Sequence, residues 1–455
     1  MVTYFLALLL ALVQESKAPS VLSVTSLGAS SDGTRSAATT DAFRRAFANN
    51  SKGDIIVPPG TYLIDNSDGP LRINNFGGQL TFQEAAQLVF TDNTKGGLEF
   101  VGGSDAIITG LRATYVTPPT VRKSPNEEIK FSGTVNTVLT DTVIRDSPAA
   151  GILFYDSINP SVTNAKVFNS LADGLNFSNC QNARVTNLLT DNTGDDGLAF
   201  VNYASFPNLT GGLAENVVVA NSKARGIAVA GQSNVTVNGF QIQNTSSSGV
   251  LVAQDTASNT RIPANVFIEN GTISNAGTLA PLVGNQYGIE FNSQESATFT
   301  NIAVLKPGNN GLSGTAPNGS VVVSNVSVNS PSQGLGFLFY QTRDVQITDS
   351  TAQNTPSYGF LSLKSTQVLV TGLTITNAGG TDPLKRAVWF EDANVILASS
   401  IHIVSAAGMA NVIGCHTSAG YSASSGSVKT INFHMSGGGR PFSVENGCPA
   451  VNFTP

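Results

Sequence analysis

Charge is scarce in this sequence. Of its 455 residues only 12% are Asp, Glu, Lys or Arg, and the formal net charge is −6 with a pI near 5.1. No basic run is present, which argues against nucleic acid or an anionic membrane surface as partner. A polyanion is disfavoured more weakly, because local charge can oppose the net. Three cysteines, Cys180, Cys415 and Cys448, make no disulfide scaffold, and their spacing matches no metal site. At most one pair forms, with Cys415–Cys448 the pair expected and Cys180 a small buried filler. All three histidines follow residue 400, so no histidine-rich metal centre lies upstream. No metal or cofactor is expected.

Long apolar runs are also missing, apart from residues 3–13, TYFLALLLALV. That run is too short to span a bilayer as a helix. It matches the apolar core of a secretory signal peptide, although no Lys or Arg precedes it. Residues 1–18 are therefore expected to be a signal peptide, and the chain extracellular. Nine Asn-x-Ser/Thr sequons begin at Asn49, Asn176, Asn208, Asn234, Asn244, Asn270, Asn318, Asn325 and Asn452. In a chain so rich in Asn, Ser and Thr, sequons also arise by chance.

Glycine is plentiful, at 45 residues, and β-branched runs such as NVVVANS recur. Both favour many short strands joined by tight turns. Near the start, Thr40–Asn49 places Ala42, Phe43, Ala46 and Phe47 on one face, which predicts a short amphipathic helix with Thr39 or Thr40 as N-cap. A Val57-Pro58-Pro59-Gly60 turn ends the strand that follows.

Beyond about residue 70 the chain repeats. A glycine precedes an apolar strand at Gly151, Gly174, Gly197, Gly226, Gly249, Gly288, Gly311 and Gly359, and the intervals 151→174, 174→197, 226→249 and 288→311 are each 23 residues. Asn136, Asn159, Asn182 and Asn234 each lie 15 residues before such a glycine. A period near 23 carrying β-branched residues, Gly and Asn is a solenoid signature. Alternating apolar residues make each repeat two or three strands, stacked at about 4.8 Å on the next. Asn at matching turns can take left-handed geometry and bond coil to coil, and Gly is expected to supply φ > 0 at the other corner. The fold expected is all-β: a single right-handed parallel β-helix occupying 19–455, with an N-terminal cap at 19–70, coils at 71–400 and a closure at 401–455. Insertions at Asn202–Glu215, Ala253–Pro263 and Ser274–Gln286 should leave the solenoid as loops on one face.

Stacking then makes a column of the residues before each glycine: Ala150, Asp173, Asp196, Arg225, Ser248, Tyr287, Asn310 and Tyr358. Asp173 and Asp196 become neighbours one strand spacing apart, with Asp195 adjacent through the backbone. A lone Asp before Gly is usually a turn residue. Two in register beside a third are different, since stacked like charges cost stability. At least one must hold a proton near neutral pH, and a protonated acid beside an ionised base is what a glycosidase pair requires. Small residues at Ala199 and Ala228 would leave an open floor for a polymer. Asn176, Arg225, Gln254, Tyr203, Tyr287 and Glu290 are candidate substrate-binding residues; Arg225 could equally neutralise the cluster.

The stretch ADGLNF followed by NTGDDGLAF resembles the catalytic signature of the inverting β-helix glycosidases, the clan of polygalacturonases, dextranases and α-1,3-glucanases. With the following coil, RGIAVAGQSN, it looks closest to the α-1,3-glucanase (mutanase, mycodextranase) family. The N-terminal layout likewise resembles the cap of pectin-lyase-like β-helix proteins. The resemblance implies a secreted, endo-acting, inverting hydrolase of an α-glucan, in which Asp195 is the general acid and Asp173 with Asp196 activate water. A monomer with a polysaccharide substrate is expected. The Gly-His-Gly and Arg-Ile-Lys elements of polygalacturonases are absent after Asp196. Two other readings stay open: a lyase whose aspartates hold Ca²⁺, and a non-catalytic carbohydrate-binding solenoid.

Overall fold

A computed structural model describes residues 21–381, 386–393 and 395–404, with the backbone of short strands at 412–416, 428–431, 434–436, 442–444 and 451–454. The expected signal peptide lies outside the described residues, as do the side chain of Cys415 and all of Cys448.

The chain winds into a parallel β-helix. One face is a sheet of 15 parallel strands running from Leu71–Asn74 to Phe442–Val444; the rest of each coil belongs to a bent sheet of 23 strands. The register follows the glycine markers. Leu175 pairs with Leu198, Leu198 with Ile227, Ile227 with Val250 and Val250 with Ile289. Inward positions form the core as continuous stacks. Phe100, Phe131, Phe154, Phe177 and Phe200 lie one above another with ring centroids 4.3–5.6 Å apart. Cys180 is a buried free thiol, as expected.

A helix, Ser36–Asn49, covers the first coils, with Phe43 against Tyr62 and Phe47 against Phe76 and Phe100. It starts earlier than the sequence pattern indicates, and neither Thr39 nor Thr40 caps it; the N-cap is Arg35 at φ 54°. Both threonines are buried inside the helix, where their hydroxyls accept the backbone N–H of Ser30 and of Asp65. Thr40 thereby fastens the helix to the solenoid, and Thr39 holds the segment that precedes it.

The Asn turns are left-handed, and they form three ladders rather than one. One ladder runs Asn136, Asn159, Asn182; a second Asn164, Asn187, Asn216; a third Asn169, Asn192. Each side-chain amide donates to the residue below, as from Asn159 to Asn136 at 2.9 Å and Asn187 to Asn164 at 2.9 Å. The marker glycines have another reason. None has positive φ. A Cβ on Gly197 would sit 2.4 Å from Val219 Cγ1 and 2.7 Å from the Gly226 carbonyl oxygen. Glycine is needed there for close approach of neighbouring coils, not for a left-handed corner. Among the described residues, no helix is long and apolar enough to cross a membrane.

Candidate active site

The column of pre-glycine residues forms as the repeat dictates. Gly151 N–H donates to the Asp173 carbonyl, Gly174 to Asp196, Gly197 to Arg225 and Gly249 to Tyr287. Ligand oxygens of Asp173, Asp195 and Asp196 all lie within 4.8 Å of one another. The three carboxylates therefore converge at the start of the 15-stranded sheet.

Each carboxylate is held differently. Asp173 Oδ1 accepts the backbone N–H of Asp196 at 3.0 Å, and its Oδ2 accepts Asn176 Nδ2 at 2.6 Å. Asp196 Oδ1 accepts the backbone N–H of Arg225 at 2.9 Å and meets the Arg225 guanidinium at 3.5 Å. Asn310, in the same column, uses its side-chain oxygen alike, for Leu335 N–H at 2.9 Å. One oxygen of each column carboxylate thus ties two coils together. Asp196 Oδ2 has no hydrogen-bond partner among the described residues and is not sealed from solvent. Asp195 Oδ2 is paired with Arg122 Nη1 at 2.8 Å.

Burial raises Asp173 to about 8, with repulsion from Asp196 and then Asp195 adding to it. Burial likewise raises Asp196 to about 6, against the opposing pull of Arg225. Between them the two hold one proton near neutral pH. The proton expected from crowding therefore resides on buried Asp196 and its partly exposed neighbour Asp173.

Arg122 is the residue that sequence reasoning missed. It comes from the loop at 116–128, one turn of chain with no repeat marker of its own. Its nearest sequence signal is that Lys and Arg are scarce and three of them, Arg122, Lys123 and Lys130, cluster there. The candidate substrate residues separate into three places. Asn176 holds Asp173, Arg225 covers Asp196, and Tyr203 sits where burial and then Asp173 raise its phenol. Tyr287 and Glu290 line a hollow three coils further along. Gln254 is elsewhere: its amide donates to the Thr260 carbonyl at 3.3 Å, and it borders a different hollow beside Ile262 and Gln294.

Ala199, Ala228 and Leu251 do face outward, forming a small apolar cluster separate from the core. They do not form an open floor, since Ala199 and Ala228 are each 2% exposed. The insertions flank this strip. Tyr203 bridges Thr260, and Arg261 Nη2 donates to the Phe206 carbonyl, so two insertions brace each other at the strand ends. The third reaches the strand starts, where Val283 N–H donates to the Ser246 carbonyl.

The aspartates could also hold a cation, but arginines already face two of them: Arg122 on Asp195 and Arg225 on Asp196. Elsewhere along the sheet Lys130 lies between Glu99 (3.8 Å) and Glu127 (3.9 Å). Arg122, Arg225 and Lys130 each face an acid.

The catalytic domain of a GH87 α-1,3-glucanase, solved with nigerose, superposes with a TM-score of 0.52 at 16% identity, over 80% of this chain and 69% of that one. The likeness is one of fold. The catalytic unit of the α-1,3-glucanase from Streptomyces thermodiastaticus strain HF3-3 is 19% identical (TM-score 0.49; 93% of this chain, 70% of that). The A-module of a mannuronan C-5 epimerase from Azotobacter vinelandii is 13% identical (TM-score 0.45; 96% and 100%). No curated protein matches the sequence. The family described as periplasmic copper-binding protein (NosD) matches residues 109–280. That stretch contains no His or Met and a single buried Cys, so it has no soft donor set for copper.

Proposed function

We propose that the chain is a secreted glycoside hydrolase that cleaves a neutral α-glucan, α-1,3-linked or mixed α-1,3/1,4-linked, with inversion. The observation that carries this reading is the convergence of Asp173, Asp195 and Asp196 within 4.8 Å. Asp195, partly exposed at the groove, is the proton donor to the leaving oxygen. Asp196, with a solvent-accessible Oδ2, binds the attacking water, and Asp173 orients it and shares the buried proton. Arg122 holds Asp195 by Oδ2 and so orients it. This leaves Oδ1 to receive the proton held by Asp173 and Asp196 and pass it to the leaving oxygen, while Asp196 takes the proton of the attacking water. The assignment of Asp195 follows the resemblance of the NTGDDG stretch; the fold likeness to a glucanase solved with nigerose supports an α-1,3-glucan. Neutral sugar is favoured because Arg122, Arg225 and Lys130 already face acids.

The test is a screen of purified protein on α-1,3-glucan, nigeran, dextran, polygalacturonate and β-glucans, with Asp195→Asn as control. Polarimetry or NMR of the first-formed anomer reads the stereochemistry. Activity surviving in Asp195→Asn, or unsaturated products, would refute the reading.

A further inference from the structure

The sheet face that carries the aspartates has a second built hollow. From Asp196 the same register position continues through Arg225 and Ser248 to Tyr287, three strand spacings or roughly 14 Å away. There a cavity of about 230 Å³ is lined by Tyr287, Glu290, Asn285, Ser313 and Tyr340. Glu290 is fixed on both oxygens: Ser248 Oγ donates to Oε2 at 2.6 Å and Asn285 Nδ2 to Oε1 at 2.7 Å. Among the described residues no Lys or Arg ion-pairs with it. Asn285 belongs to the insertion that lengthens this coil, so the pocket exists because of that insertion.

We propose that this pocket is a distal subsite for one neutral sugar ring of a chain whose scissile bond lies at the aspartate cluster. The proposal rests on the hydrolase reading for its substrate class. Each Glu290 oxygen retains a lone pair for a sugar hydroxyl, and its position is already fixed before the ligand arrives. Two phenols offer apolar ring faces with polar edges. A uronate carboxylate would meet Glu290, and Arg225, the cation whose charge reaches Glu290, is ion-paired with Asp196, so the pocket discriminates against acidic sugars. Between the two places the strip of Ala199, Ala228 and Leu251 is covered and offers no hydrogen bond. The Arg225 and Ser248 side chains are already engaged by Asp196 and by Glu290, so intermediate rings add little. Affinity should therefore rise abruptly with chain length, once an oligosaccharide reaches Tyr287.

The experiment is calorimetric titration of the Asp195→Asn chain with linear α-1,3-gluco-oligosaccharides of two to seven units, and with oligogalacturonate. The expected result is a stepwise gain of about tenfold in affinity at one length. Tyr287→Ala and Glu290→Gln should abolish the step, while Lys166→Gln, on the other sheet, retains it. A smooth or flat dependence, equal loss at every length, or oligogalacturonate binding would overturn the subsite. Hydrolysis by the unmodified chain is measured alongside. A length step without any hydrolysis refutes the hydrolase and keeps the subsite; hydrolysis without a step does the reverse.

Discussion

The Asp173 carboxylate in one coil accepts the backbone N–H of Asp196 in the next, at 3.0 Å. This bond joins the structural and the chemical uses of the same residue. It ties two coils, and it holds two carboxyl groups side by side in a crowded place where only one can readily ionise. Asp196 repeats the arrangement on Arg225.

Removing a carboxylate from this set should abolish turnover without unfolding the solenoid. Asp195→Asn is expected to lower kcat by about 10³-fold or more, with the far-UV spectrum and melting temperature near those of the parent. Asp196→Asn should be of similar severity, since it removes the base. Steady-state kinetics on the active glucan check both.

Stability should carry the signature of Asp173. Below about pH 4 this acid is protonated in both folded and unfolded chains and makes no difference. Between pH 4 and about 8 the unfolded chain releases the proton while the buried site retains it, so native stability falls across that window. In Asp173→Asn this part of the decline should disappear, flattening the profile by on the order of 2 kcal/mol. Denaturant unfolding at pH 4, 6 and 8 reads it; parallel profiles would contradict it.

Arg122 should matter for catalysis more than for stability. Its pair with Asp195 is partly exposed, and such pairs contribute about 1 kcal/mol or less. Arg122→Gln is expected to leave the melting temperature within a degree or two. It should lower kcat/KM by about tenfold, because Asp195 loses the contact that orients it. Unchanged kinetics would show the pair to be incidental.

The two kinds of glycine should respond differently to alanine. Gly197→Ala forces a Cβ against Val219 and the Gly226 carbonyl, and is expected to cost about 2–3 kcal/mol. Gly133→Ala meets nothing within 4 Å but must hold φ near +63°, which costs about 1 kcal/mol. Urea unfolding of the pair separates crowding from backbone strain.

Sequons in the ladders should stay bare in a glycosylating host. Asn244, Asn270 and Asn325 are left-handed, and their side-chain N–H groups donate to the ladder residue below at 3.1, 2.7 and 2.9 Å. Asn176 spends its own on Asp173. Asn49, Asn208 and Asn318 are exposed. Mass mapping after expression through a eukaryotic secretory route should find glycan at Asn49, Asn208 and Asn318 and none at Asn176, Asn244, Asn270 and Asn325, whose amides are already engaged.

The 23-residue spacing was enough to derive the coil, its register and the meeting of Asp173, Asp195 and Asp196. Such a repeat is local and additive: each coil copies the one below, so a column can be read straight from aligned residues. What broke the period was not legible in the same way. The placement of Arg122 on Asp195, the bracing of the 202–211 loop by Arg261 and the parting of Gln254 from Tyr287 and Glu290 all came from loops outside the repeat, and the low exposure of Ala199 and Ala228 from tertiary packing. These contacts join segments far apart in sequence with no repeat to align them, so packing alone selects them. The same holds for the marker glycines, where the sequence showed a requirement for glycine and only the stacked coils showed that the reason was space.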